Sequence, residues 1–112
     1  MPVRGWILAF AITTLIEVPI VVWLTRDLEL TAPKRTLIAV FGQLATHPIV
    51  WFVLPFIPRL TGWQTFLVSE AWAWGAEALL YATVMPGLSG RRAAGISGVA
   101  NGLSVAVGLC LL

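Results

Sequence analysis

The sequence predicts an all-α integral membrane protein, a bundle of four transmembrane helices joined by short loops. Of its 112 residues, 59% are hydrophobic and only 11% are charged, and the mean hydropathy is +0.92. Soluble domains carry about 25% charged residues, and so small a domain cannot bury that much apolar surface in its own core. Four apolar segments, each close to the roughly 20 residues that cross a bilayer, supply the helices. We expect residues 1–112 to form a single transmembrane domain.

The four spans are bounded by tryptophan and proline residues. They are expected at about residues 6–24, 36–57, 63–84 and 93–112. Trp6 and Trp23 bracket the first span, since tryptophan favours membrane interfaces. Pro55 and Pro58 end the second and Pro86 ends the third, because proline lacks a backbone N–H and clashes with the preceding turn. The connections are short, so neighbouring helices should be antiparallel.

The positions of lysine and arginine predict the orientation in the membrane. The loops after the first and third spans share one side and carry five basic residues: Arg26, Lys34, Arg35, Arg91 and Arg92. The other side carries Arg4 and Arg59. Cytoplasmic loops are enriched in such residues, so both termini are expected outside the cytoplasm. The compact form and the lack of a targeting segment favour a bacterial inner membrane.

Each predicted helix carries polar residues three or four positions apart, which places them on one helix face. The main members of these stripes are Thr13 and Glu17; Gln43 and His47; Glu70, Trp74, Glu77 and Tyr81; and Ser97, Asn101 and Ser104. Ionisable groups at membrane depth are costly, so they pair, face the bundle interior or line a polar cavity.

Depth sharpens this pattern. At 1.5 Å per residue, Glu17 and Glu77 lie about 10 Å from the face that holds the basic loops, and Asn101 lies about 12 Å from it. His47 lies about 16 Å from that face and Glu70 near 20 Å. The sequence therefore predicts one polar layer, formed by Glu17, His47, Glu77 and Asn101, with one residue from each helix.

This layer predicts a binding site for a proton or a cation. Two carboxylates at one depth can share a proton or replace the water shell of a cation. Glu17 and Glu77 are expected to bind it, and His47 to tune or relay it. The expected lining residues are Asn101, Gln43, Tyr81, Trp74 and Glu70. The first hypothesis is a small proton- or cation-coupled transporter in the lipid bilayer, active as a homo-oligomer because four helices make a thin wall around a pathway.

Two other hypotheses remain open. A non-catalytic membrane subunit or assembly factor would pack its polar layer, and the small residues Gly98 and Gly102, against a larger membrane partner. An intramembrane metal-dependent enzyme would use Glu17, His47 and Glu77 as ligands, although the usual ligand spacings are absent. No hydrolase motif is present either, so a function without catalysis is favoured. The sequence identifies no cofactor, and no basic stripe indicates nucleic-acid binding.

The chain length, the four spans and Glu17 within the first span resemble the small multidrug resistance transporters. The resemblance covers the architecture and this one residue. It implies a dimer that exchanges protons for cationic compounds at Glu17. His47, Glu70 and Glu77 are additional ionisable residues that the pattern of that family does not explain.

Overall fold

The computed structural model describes residues 2–111, which form four α-helices and one short 3₁₀ turn. The α-helices are α1 (Pro2–Leu24), α2 (Ala32–Phe52), α3 (Gly62–Val84) and α4 (Gly90–Leu111), and the 3₁₀ turn is Leu54–Phe56. The predicted all-α fold of four helices is confirmed. Within these residues, α1, α2 with its 3₁₀ turn, and α4 are long and apolar enough to cross a membrane. The 23-residue α3, which contains Gln64, Glu70 and Glu77, is not among these three helices.

The second helix begins at Ala32, one helical turn before the expected start at residue 36. Thr31 caps it, since its hydroxyl accepts a hydrogen bond from the Lys34 backbone N–H at 3.4 Å, and this satisfies one of the free donors of the first turn. Pro33 fits that turn, where its missing N–H costs nothing. Lys34 and Arg35 therefore belong to α2 and not to the loop.

Three other helix ends also differ from the prediction. The first helix begins at Pro2 and not at residue 6. The α-helical part of α2 ends at Phe52 and not at residue 57, because the ring of Pro55 would clash with the carbonyl group four residues earlier. The fourth helix begins at Gly90 and not at residue 93. Ser89 caps it by accepting a hydrogen bond from the Arg92 N–H at 3.1 Å. Arg92 thus lies in the first turn of α4.

Sequential helices pack side by side, and α4 returns to pack against α1. The result is an elongated bundle of 43 × 24 × 21 Å. Gly5 near the start of α1 lies against Trp51 near the end of α2. At the opposite end of the bundle, Arg92 in α4 hydrogen-bonds to the Leu24 carbonyl at the end of α1 (2.7 Å). Both contacts show that neighbouring helices run antiparallel, as predicted.

The hydrophobic core fills only one half of the bundle. Its buried members are Val18, Val21, Ala39, Tyr81, Met85, Leu88, Ala93, Ile96 and Ala100. They come from the ends of α1 and α3, the α3–α4 connection, and the starts of α2 and α4. We call this the packed half; its outer end carries the α1–α2 and α3–α4 connections. The other half, which ends at the α2–α3 connection, is called the open half.

Arg35 ties the packed end of α2 to the end of α1. Its guanidinium group is buried and donates to the Val22 carbonyl and to the Thr25 hydroxyl (3.2 Å), while its Nε donates to the Leu30 carbonyl at 3.1 Å. The last carbonyl groups of a helix have no partner within it and carry partial negative charge. A cation from the next helix is therefore a suitable cap for α1.

Arg92 makes the matching link from α4. Besides its bond to Leu24, it forms an ion pair with Asp27 in the α1–α2 connection. The hydrogen bonds from Arg92 hold the pKa of Asp27 at about 2, below its usual range. The carboxylate therefore stays ionised at every physiological pH, and two arginines join the starts of α2 and α4 to the end of α1.

Candidate functional site

A buried hydrogen-bonded cluster joins all four helices where the packed half meets the open half. Gln43 of α2 donates from Nε2 to Glu17 Oε1 of α1 at 3.2 Å and to Glu77 Oε1 of α3 at 2.6 Å. Asn101 of α4 donates from Nδ2 to Glu77 Oε2 at 2.7 Å. All four side chains are buried, with exposed fractions of 8% or less. We call Glu17, Gln43, Glu77 and Asn101 the polar cluster.

Neighbouring groups fix the orientation of the Asn101 amide. Its Nδ2 also donates to the Ser97 carbonyl at 2.9 Å and approaches the Ser97 hydroxyl at 3.2 Å. That hydroxyl in turn donates to the Trp74 carbonyl of α3 at 2.9 Å. A backbone carbonyl can only accept a hydrogen bond, so the nitrogen of the Asn101 amide must face Ser97 and Glu77. Its Oδ1 atom faces the other way.

The two glutamates of the cluster have different surroundings. Each carboxylate oxygen of Glu77 accepts an amide hydrogen, one from Gln43 and one from Asn101. Glu17 accepts one longer amide hydrogen bond, from Gln43, and the Ser104 hydroxyl is its other polar neighbour. Glu17 also borders a pocket, whereas Glu77 lies behind it with 1% of its surface exposed. Glu17 is therefore the carboxylate that a ligand can reach.

The pocket extends from the polar cluster through the open half and has a volume of about 520 Å³. Glu17, Gln43 and Asn101 form its inner end, which we call the floor. The walls are mainly apolar and come from all four helices: Leu8, Ile12, Val50, Trp51, Phe66, Ala73, Val105 and Leu109. Sites for small molecules typically have volumes of about 300–1,000 Å³ and mostly apolar walls with few polar groups. This pocket has both properties.

His47 lies in the pocket wall and not in the polar cluster. It is one helical turn from Gln43, on the side of the open half. Its ring packs edge-on against Phe10, with the ring centroids 5.5 Å apart and the planes at 85°. Its Nδ1 atom is buried and has no hydrogen-bond partner within residues 2–111. Glu70, half-buried, lines the same pocket.

Tyr81 and Trp74, two of the expected lining residues, lie outside the pocket. Tyr81 is one turn from Glu77 in the packed half, where the core closes the interior, and its hydroxyl lies against Gly42. Trp74 is three residues from Glu77, which rotates it by about 60° around the helix. Its indole N–H donates to the Ala94 carbonyl at 2.8 Å, and about half of the side chain is exposed. Both residues position α3 against its neighbours.

The two glycines of the small-residue seam in α4 have different environments. A Cβ atom at Gly98 would lie 3.4 Å from Trp74 Nε1, so Gly98 allows α3 to pack closely. A Cβ atom at Gly102 would meet nothing within 4 Å in the described part of the chain. Gly98 therefore lies beside Trp74 at the exposed edge of the α3–α4 contact, while Gly102 is exposed and away from the other helices.

The predicted metal ligands do not come together. Within residues 2–111, no three histidine, cysteine, aspartate or glutamate residues are placed to hold a metal ion. Glu17 and Glu77 meet in the polar cluster, but His47 packs against Phe10 in the pocket wall. The ligand set that the metalloenzyme hypothesis needs is thus not formed.

The polar cluster is suited to hold positive charge. Two carboxylates share one amide group, and among the described residues no arginine, lysine or histidine forms a hydrogen bond or ion pair with either carboxylate. Two ionised carboxylates that are bridged by one amide group would repel each other strongly in a low-dielectric interior. A proton or a bound cation relieves that repulsion, whereas an anion would increase it.

Sequence reasoning missed two structural roles. It placed Gln43 among the lining residues, yet this amide is the link between the two glutamates. It counted Arg35 and Arg92 as loop charges, yet both cap the end of α1. A positive charge in the first turn of a helix is unfavourable for that helix. That was the available signal that each arginine serves another helix.

No family model matches the chain, and neither a curated protein nor a solved structure matches it. The interpretation of the site therefore rests on the residues of this chain.

Proposed function

We propose that this protein is a small integral membrane protein that binds a proton or a cation at the polar cluster. It would couple the movement of protons across the membrane to the movement of a cation. The observation that supports this most is the pocket, which extends through the open half of the bundle and stops at the buried carboxylate of Glu17. An uncompensated pair of carboxylates at such a position is costly, and a binding function explains why it is present.

The outer surface supports a membrane location. Many large apolar side chains are exposed along the helices, and Leu15, Trp23, Leu37, Trp63 and Leu79, which do not line the pocket, are each more than 60% exposed. Soluble monomers rarely expose such large apolar surfaces. In a bilayer these side chains would face lipid, and three of the helices are long and apolar enough to cross it. The remaining helix, α3, would place its glutamates towards the interior.

The asymmetry of the bundle supports transport over mere storage of a charge. Transporters bind their ligands near the membrane midplane and open the site to one side at a time. Here the polar cluster lies between a pocket and a packed core. The basic residues at the packed end favour a cytoplasmic position for it. The pocket would then open away from the cytoplasm of a bacterial cell.

Proton-coupled flux in liposomes tests the proposal. The purified protein is reconstituted with a pH-sensitive dye inside, and Na⁺, K⁺ or small organic ammonium ions are added outside. We expect at least one cation to drive proton movement, and Glu17→Gln to abolish it, because the reachable carboxylate is lost. Glu29→Gln, in the exposed α1–α2 connection, is the matched control and should retain the flux. If Glu17→Gln and Glu77→Gln both leave every proton-linked flux unchanged, the proposal is wrong.

A further inference from the structure

We infer that the pocket selects ligands that join a protonated amine, with N–H groups free to donate, to an apolar body, and that it discriminates against the same body carrying a fully alkylated ammonium group. The inference rests on the proposed function and names the chemical class of ligand that the site at Glu17 would take.

The two amides in the floor have the same orientation. Gln43 and Asn101 turn their nitrogen atoms towards Glu77, which leaves Gln43 Oε1 and Asn101 Oδ1 as free acceptors. Neither oxygen accepts a hydrogen bond from residues 2–111. The buried side-chain atoms without a partner in that range belong to Trp6, Thr14 and His47. Both amide oxygens therefore keep a small accessible surface, and both residues line the pocket, although Gln43 as a whole is only 1% exposed and Asn101 8%.

The oxygen atoms of the floor determine which ligand groups it can bind. With Glu17, the floor presents a carboxylate and two amide oxygens at the inner end of one pocket. All three are hydrogen-bond acceptors, and an ionised carboxylate is an acceptor only. A primary ammonium group has three N–H donors and one positive charge, which matches this set. A trimethylammonium group has the charge but no donor, so it would leave buried acceptors without partners.

The walls of the pocket determine which ligand bodies it can hold. The walls beyond the floor are mainly apolar, with His47 and Glu70 as their ionisable members and the aromatic rings of Trp51 and Phe66 near the outer end of the pocket. A ligand that is polar throughout would lose its hydration there without compensation. The pocket therefore favours an amine that carries an alkyl or aromatic group.

Glu77 acts in this scheme as a positioning residue. It lies behind the floor and need not touch the ligand, but its two oxygens hold both amide nitrogens. An amide at this position would offer N–H groups to Gln43 or Asn101. One of them would then turn its own N–H groups towards the pocket and its oxygen away.

A matched pair of cations tests the inference. Phenethylammonium and its N,N,N-trimethyl analogue share an aromatic body and one positive charge at neutral pH. Calorimetry with the purified protein should show binding of the primary ammonium that is tighter by about tenfold or more, because sites built to hydrogen-bond a ligand reject analogues that lack the group. Equal affinities, a preference for the trimethyl compound, or no binding of either would each overturn the inference.

Two variants separate this inference from the proposed function. Glu17→Gln should weaken both cations, while Glu77→Gln should reduce the ratio of their affinities by turning an amide. Asn101→Ala removes one acceptor oxygen and should lower the ratio as well, which keeps the test usable if Glu77→Gln does not fold. Equal affinities that still depend on Glu17 would refute the selectivity and leave the proposed function standing. Binding that does not change in Glu17→Gln would refute both.

Discussion

Glu77 and Glu17 are separated by one shared amide, yet their chemical tasks differ. Both carboxylate oxygens of Glu77 accept hydrogen bonds from N–H groups, and Glu77 does not line the pocket. Its main effect is therefore on the orientation of Gln43 and Asn101. Glu17 accepts only one amide hydrogen bond, the longer one from Gln43, and borders the pocket. Their common depth suggests that the two glutamates have the same role, but their hydrogen bonds differ.

This difference predicts an order of stabilities. Glu77→Gln places an NH₂ group against two amide donors and loses at least one charge-assisted hydrogen bond, so it should lower the free energy of unfolding by about 1–3 kcal/mol. Glu17→Gln should be less damaging, because it loses one long bond and removes one of two repelling carboxylates. Thermal unfolding of both variants in the same detergent, followed by circular dichroism, measures this. A larger loss for Glu17→Gln would contradict the assignment of Glu77 as the positioning residue.

At the scale of the helices, the packed end is held by polar links as well as by the core. Arg35 provides three hydrogen bonds to the end of α1 and the connection after it. Lys34, its neighbour in the same turn, is exposed. The two residues carry the same charge, so they separate the effect of capping from the effect of net charge.

Arg35→Gln should therefore be far more destabilising than Lys34→Gln. Loss of hydrogen bonds from a charged donor to buried acceptors costs about 1.5–3 kcal/mol, while an exposed substitution changes stability by about 0.5 kcal/mol or less. Unfolding of each variant with increasing denaturant in mixed micelles gives the two values. Similar values for both would mean that Arg35 contributes only its charge.

The helices could be predicted from the sequence because apolar length and proline stops are local signals. One error at the start of α2 explains the error at His47. Measured from residue 36, position 47 lies about 16 Å deep, but α2 starts at Ala32, and the residue at that depth is Gln43. The Thr31 cap and Pro33, which move the start by one turn, were in the sequence. The orientation of the amides was not, since it depends on contacts between helices.

At the scale of the whole molecule, one half of the bundle contains a pocket and the other half is packed. The pocket of about 520 Å³ belongs to the open half, and the nine-residue apolar core belongs to the packed half. No single helix shows this asymmetry in its sequence.

Thiol labelling tests this asymmetry. In a Cys110→Ser background, which removes the exposed native thiol, Ala73→Cys places a thiol in the pocket wall and Ala100→Cys places one in the packed half. A charged, membrane-impermeant thiol reagent should modify Ala73→Cys from the pocket side of sealed vesicles only, and should leave Ala100→Cys unmodified. Equal labelling of the two thiols, or labelling of Ala73→Cys from the basic side, would contradict a one-ended pocket.

The uneven filling of the bundle also has an electrical consequence. In a bilayer, the voltage across the membrane falls mainly where the dielectric constant is low, and once water enters the pocket, that is the packed half. An ion that reaches Glu17 through the pocket crosses little of the field, whereas one that continues past the core crosses most of it, at about 2.3 kcal/mol per elementary charge for each 100 mV. Occupancy of the site should then be almost insensitive to membrane potential, while turnover should depend on it steeply.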